Sequence, residues 1–218
     1  MTTTFSATFN CPNCRRKFDS EVLGSTNNFG GVTTEFQQVA GGMQPLGGLI
    51  FTCPDCGFTG WQDAYRHRVA KTVSRLIAER ITPLVRDERS SASRRYEYAA
   101  WIAKWRGDNL EEIGDLYLHA AWAWHDEPES EEGVEGQEHY RRQAIEYFEQ
   151  AISSGVLPRQ HALTLAYIVG EQYRRVGEPT EAARWYDYVI EFSGNDENVA
   201  QLAELALQQK TDPQEFIN

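Results

Sequence analysis

The chain has 218 residues, 41% of them hydrophobic and 24% charged, which is ordinary globular usage with enough apolar mass for a real core. No apolar run approaches the ~18 residues that cross a bilayer. The opening Met-Thr-Thr-Thr-Phe-Ser-Ala-Thr has neither the basic nor the apolar stretch of a secretory signal, so a cytoplasmic protein with reduced thiols and no membrane partner is expected.

Residues 5–61 read as strands and loops. Paired glycines at Gly30-Gly31, Gly41-Gly42 and Gly47-Gly48 mark turns, and Leu49-Ile50-Phe51-Thr52 is a β-rich run leading into Cys53. All four cysteines lie here, as Cys11-Pro12-Asn13-Cys14 and Cys53-Pro54-Asp55-Cys56, with residues 15–52 between the pairs. Zinc takes four soft ligands in a tetrahedron, and a CxxC turn offers two sulfurs from one side. Cys11, Cys14, Cys53 and Cys56 are therefore the expected ligands of one structural Zn2+ per chain. A segment of ~60 residues buries little surface by itself, and zinc binding energy of ~10–16 kcal/mol becomes folding energy. Four cysteines leave no open coordination position, so no chemistry is expected at the metal. Gly57 permits the positive φ of the second knuckle. Arg15 stands at the equivalent place in the first, so that knuckle is expected to be looser or shaped by another residue. A thioredoxin-like redox pair would need one CxxC at a helix N-terminus in a βαβ unit. Two disulfides fit poorly with a reducing compartment.

From Trp61 the pattern turns helical. Tyr65, Val69, Val73, Leu76, Ile77 and Ile81 recur at three- and four-residue steps. Pro83 is expected to stop that helix, with a polar connection over 84–93 and Ser90, Ser91 and Ser93 as caps. A second helix runs to Gly107, and Asp108 or Asn109 caps a third reaching His125. Asp126 to Glu138 is dense in like charge and reads as a mobile acidic loop. Further helices are expected at about 139–154, 159–176, 179–193 and 196–209, with Gly155, Gly177 and Gly194 as terminators. The predicted fold is α+β and mostly α. A zinc-ribbon-like β module (1–61) leads through a helical linker packing on both sides (62–107) to a tetratricopeptide-like helical domain (108–218).

The repeat assignment rests on small and large residues in alternation. Gly170, Tyr173, Gly177, Ala182, Tyr186 and Val189 reproduce the spacing of one tetratricopeptide unit, in which small residues let two antiparallel helices approach and aromatics fill the gaps. Gly114, Tyr117, Ala144, Phe148 and Ala151 give a second, interrupted unit, and a generic helical bundle is the alternative. The concave positions of such repeats bind partners. They would be Thr164, Tyr167, Glu171, Arg174 and Arg175 in the better unit, and Asp108, Glu111, Asp115 and His119 in the other.

In the order of these features the chain resembles an uncharacterised bacterial family, domain of unknown function 2225. The matching pieces are Cys11–Cys14, Gln44-Pro45-Leu46 leading to Phe51-Thr-Cys-Pro-Asp-Cys-Gly-Phe58, Arg95-Tyr-Glu-Tyr-Ala-Ala100 and Ile113-Gly-Asp-Leu-Tyr-Leu-His-Ala-Ala-Trp122. The departure is Arg15, where a glycine usually follows the first pair. The resemblance implies the architecture and brings no activity with it.

The charge is uneven. Residues 1–106 hold 14 Lys and Arg against 9 Asp and Glu, net +5, and residues 107–218 hold 7 against 23, net −16. No nucleophile elbow, P-loop or dinucleotide fingerprint is present, and the five histidines form no HxxxH or HExxH pair. The expected function is a non-catalytic interaction protein, its partner a protein or peptide docked at Tyr167, Glu171, Arg174 and Arg175. The alternatives are a zinc-ribbon nucleic-acid binder using Arg66, Arg68, Lys71, Arg75 and Arg80 with Phe58 or Trp61 for stacking, and a CxxC thiol oxidoreductase.

Overall fold

The computed structural model describes residues 2–87, 90–125, 133–194 and 196–217. It is mostly helical, with a small β module at the N-terminal end, so the α+β expectation is met. Strands β1 (Thr3–Asn10) and β2 (Lys17–Ser25) form one antiparallel hairpin, and β3 (Ile50–Thr52) and β4 (Thr59–Trp61) form another. Each hairpin turns at a cysteine knuckle. The period-two alternation of a strand puts Phe9 opposite Phe18, and their rings stack at 5.5 Å. Phe51 and Tyr65 close around Phe9 at 4.6 and 5.0 Å. The Tyr65 hydroxyl donates to the carbonyls of both Phe51 and Phe58, tying the second knuckle's two flanks together.

The helical expectation from Trp61 to Ile81 is corrected. Residues Gln62–Arg66 form a short 3-10 turn, His67 is extended, and α1 spans only Lys71–Arg80. Tyr65 is pinned to the β module by its hydroxyl, and that anchor interrupts the helical run. Pro83 also behaves otherwise than expected. It lies in the first turn of α2 (Thr82–Asp87), where a missing N–H costs nothing, so a helix occupies part of the expected connection.

The remaining helices are α3 (Ala92–Arg106), α4 (Leu110–His125), α5 (Gly133–Ser153), α6 (Arg159–Arg175), α7 (Pro179–Ser193) and α8 (Glu197–Thr211). Ser91 caps α3 by accepting from the Arg94 amide, and Asn109 caps α4 by accepting from the Glu112 amide. The acidic segment was expected to run to Glu138. Its first part, 126–132, lies outside the described residues, while from Gly133 the chain is already helical. The reason is a contact: Gly136 lies so close to the Trp124 ring that a Cβ there would sit 2.6 Å from it.

Two cores result. One gathers Phe9, Phe18, Phe51, Phe58, Val73, Ile77 and Ile81 around the cysteines. The other runs through α3 to α8. Helix α3 serves both: Tyr98 and Ile102 face the first, and Tyr96, Ala99, Ala100 and Ala103 face the second. Within the helical part, Gly170 faces Tyr186 and Gly114 faces Phe148, each with an added Cβ falling 2.6–2.7 Å from a ring carbon. Arg159 at the start of α6 donates to the Phe192 carbonyl near the end of α7, so those two helices run antiparallel.

Residues 26–49, between the hairpins, keep contact with the β module where Thr2 donates to the Met43 carbonyl and Gly48 lies against Leu23, and elsewhere lie on the helices. Phe36 sits against Tyr167 with ring centroids 5.3 Å apart, and Tyr96 donates to the Leu46 carbonyl.

Candidate functional site

The two knuckles are built alike. In the first, the Cys11 amide donates to the Arg16 carbonyl at 2.8 Å and the Arg15 amide to the Cys11 carbonyl at 2.9 Å. In the second, the Cys53 amide donates to the Phe58 carbonyl at 2.9 Å and the Gly57 amide to the Cys53 carbonyl at 2.8 Å. The first knuckle is therefore not looser. Arg15 itself adopts the left-handed conformation, at φ 66°, that Gly57 adopts at φ 78°. Gly57 has a second constraint, since a Cβ there would sit 2.6 Å from Ile81 Cγ2.

The knuckles bring the four sulfurs within 4.8 Å of one another. Cys11 Sγ lies 3.6 Å from Cys56 Sγ, and Cys14 Sγ lies 3.6 Å from Cys53 Sγ. A tetrahedron with Zn–S bonds of about 2.3 Å needs S···S spacings of about 3.8 Å, so the donors fit a tetrahedral thiophilic ion. Amides of Asn13 and Cys14 point at the Cys11 sulfur, and those of Asp55 and Cys56 at the Cys53 sulfur. Asn13 Nδ2 donates to Cys56 Sγ at 3.4 Å. Hydrogen bonds from Cys11 and Cys53 push the Cys56 thiol strongly down, while the same cluster and burial push Cys11 up. A bound dication would stabilise the thiolate form of such a cluster. Outside the cluster, Thr82 fixes the second knuckle by donating to the Cys56 carbonyl at 2.7 Å.

The expected partner-binding residues on α6 are placed differently from expectation. Tyr167 and Glu171 are fully buried, and Arg174 and Arg175 expose only 18% and 16% of their side chains. Two segments of the same chain cover them, one a tight turn closed by the Phe36 amide donating to the Thr33 carbonyl and the other a run of residues after α8. The tip of the insert, Thr34-Glu35-Phe36, enters first. Thr34 Oγ1 donates to Glu171 at 2.6 Å, and Tyr186 donates to the other Glu171 oxygen at 2.6 Å. Glu35 takes Arg141 at 2.7 Å and Gln172 at 2.8 Å, and lies 3.3 Å from Arg175. Burial pushes the Glu35 carboxyl up, but Arg141 and Arg175, with their hydrogen bonds and that of Gln172, outweigh it and hold it at about 2. Phe36 reaches Tyr167 from a left-handed backbone, φ 67°. The second segment is residues 214–217, whose Glu215 carboxylate meets Arg174 at 3.1 Å and Arg175 at 2.8 Å. Tyr167 is thus a core residue and Glu171 a buried anchor for Thr34, Arg174 and Tyr186. Only the two arginines keep solvent contact. Thr164 lies apart, donating to the Gln160 carbonyl within its own helix.

Asp108, Asp115 and His119 of the second expected set line a separate cleft of about 350 Å³ between β4 and α3/α4, together with Trp61, Arg106 and Glu112, while Glu111 is not among its lining residues. His119 Nδ1 donates to the Asp115 carbonyl, and its ring lies against those of Tyr96, Trp61 and Trp122. Burial, then neighbouring Glu111, raises the Asp115 carboxyl to about 6. Glu111 pairs with His161 at 2.7 Å.

Of the proposed nucleic-acid contacts, Arg66, Arg68, Lys71, Arg75 and Arg80 are all exposed. Arg66 faces Asp63 and Arg75 faces Glu79. Phe58 is buried in the cysteine core and offers no face for stacking, whereas Trp61 is 39% exposed. Sequence reasoning missed Glu35, Phe36, Arg141 and the tail. For Glu35 and Phe36 the local signal was an acidic-aromatic pair standing in a Gly-rich stretch.

A family model described as an uncharacterized protein conserved in bacteria (DUF2225) matches residues 4–212. No curated protein and no solved structure matches the chain.

Proposed function

The chain belongs to that bacterial family, and from this premise we propose a non-catalytic interaction protein: a β module organised by one structural zinc ion, welded to a tetratricopeptide-like helical array that docks a protein partner. Four cysteines at tetrahedral spacing support the metal assignment. Their soft, fully thiol donor set favours zinc among common divalent ions, and the closed shell leaves no position for substrate. The observation that carries the docking reading is the α6 face itself. It holds two other segments of the chain through carboxylate–arginine pairs, a buried hydroxyl–carboxylate hydrogen bond from Thr34 and a contact from Arg174 to the Gln214 carbonyl at 3.5 Å, the chemistry by which such faces hold peptides.

The experiment has two parts. Elemental analysis of purified protein is expected to give one zinc per chain, and two disulfides with no metal would overturn the assignment. Capture from a native extract of the source bacterium, on immobilised zinc-loaded protein, is expected to retain a protein that survives nuclease treatment. If nuclease removes everything captured, the exposed basic residues of α1 and the turn before it become the interaction surface instead. No helix among the described residues is long and apolar enough to cross a membrane.

A further inference from the structure

We propose that residues 214–217 are the chain's own occupant of a peptide-binding site, and that the site's other occupant is an extended Glu-Phe segment of a partner protein. The inference rests on the docking reading above and names the partner's chemistry. After α8 the chain turns at Asp212-Pro213 and passes beside residues 32–34. The Thr34 amide donates to the Glu215 carbonyl at 3.0 Å, and the Ile217 amide donates to the Val32 carbonyl at 2.9 Å. Thr33 and Phe216 form the bridge between them. This is a single antiparallel bridge of the strand-addition kind, in which the main chain supplies affinity and successive side chains, directed to opposite faces, supply specificity. Here the specificity elements are a carboxylate, read by Arg174 and Arg175, and an aromatic ring laid over Gly31.

Three observations separate this occupant from an ordinary packed terminus. Its hold is partial: Phe216 is 46% exposed and Ile217 38%. It borders a cavity of about 660 Å³ that also reaches Val39, Trp122 and Arg141. At that border Trp122 Nε1 and Arg175 Nη2 are buried yet donate to no atom among the described residues, so a longer or differently seated segment has two donors waiting for it. The face also reads the same residue pair twice. Glu35-Phe36 sets its carboxylate on Arg141 beside Arg175 and its ring on Tyr167, while Glu215-Phe216 sets its carboxylate on Arg174 and Arg175. In the first copy Glu35 is buried and Phe36 partly so. In the second, the Glu215 side chain is 60% exposed and Phe216 46%.

The test adds a labelled peptide, Thr-Asp-Pro-Gln-Glu-Phe-Ile-Asn, to the full zinc-loaded chain and reads binding by fluorescence anisotropy. A tethered tail competes at an effective concentration of about 1 mM. The peptide is therefore expected to bind a Glu215→Lys/Phe216→Ala chain about tenfold or more tightly than wild type, and a peptide with Lys in place of its Glu is expected not to bind. Phe216→Ala alone, which removes a half-exposed ring, serves where the double variant loses helicity. Equal binding to wild type and variant, or equal binding of both peptides, overturns the proposal. Concentration-dependent dimers of wild type formed by exchanged tails would seat a second copy there and overturn the partner assignment. A captured protein that the peptide fails to displace leaves the docking reading standing and sinks this inference alone.

Discussion

At the scale of single residues, Glu35 joins the insert to two helices. Its carboxylate is fully enclosed and neutralises Arg141 and Arg175. Because its folded value, about 2, lies below the ~4.3 of an unfolded glutamate, the stability it contributes is complete above about pH 5 and is lost as pH falls toward 2. Glu35→Gln is expected to cost on the order of 3 kcal/mol at pH 7, because it leaves buried guanidinium charge unbalanced. The deficit should shrink as unfolding is repeated at successively lower pH. A deficit independent of pH would show that packing, not charge, is what the substitution removes. Arg15 gives a prediction of the opposite sign. A side chain in left-handed backbone costs about 1–2 kcal/mol, against about 0.5–1 kcal/mol for the greater unfolded-state freedom of glycine. The Arg15 side chain is exposed, so Arg15→Gly is expected to raise the denaturation midpoint of the zinc-loaded protein slightly, by about 0.5 kcal/mol.

Among the elements, the close approach of α6 to α7 depends on Gly170. Alanine there gains about 1 kcal/mol of helix propensity, yet its Cβ would meet the Tyr186 ring at 2.7 Å. Overpacking of that kind costs about 1–3 kcal/mol, so Gly170→Ala is expected to be destabilising on balance by thermal melting. A stabilised variant would mean the helices separate freely. This spacing was legible because small-facing-large contacts between consecutive helices leave a periodic trace in sequence. The four-cysteine cluster was legible for a related reason: a knuckle is closed by its own few residues, and two identical knuckles announce each other. What was not legible came from distance along the chain. Thr34 meets Glu171 across 137 positions and Glu35 meets Arg141 across 106. Nothing local distinguishes a glutamate bound for a buried ion pair from one bound for solvent. The same blindness made Arg174, Arg175 and Tyr167 read as an open concave face, since helical spacing tells which residues share a face and not what covers it. The break at His67 was missed because the apolar period continues through Tyr65 and Val69 although a tertiary hydrogen bond ends the helix.

For the whole molecule, the two cores share α3, and the insert bridges from the β module to α5 and α6. Chelation of the metal, or Cys53→Ser, is expected to raise amide exchange through β1 to β4 and in α1, whose Val73 and Ile77 pack into the cysteine core. Protection in α6 and α7 should persist, because the contacts of α6 with residues 34–36 and with Tyr186 of α7 do not pass through the knuckles. Uniform loss of protection would instead show one cooperative unit. The bridging insert also imposes a timetable. At about 5–20 residues per second of synthesis, Thr34 leaves the ribosome roughly 7 to 27 seconds before Glu171, the residue that its hydroxyl will meet. The knuckles need only residues up to Cys56 and can close during that interval. The acidic tip must wait, solvated, until α6 is made, so that the first-made segment of the helical interface is among the last to be buried.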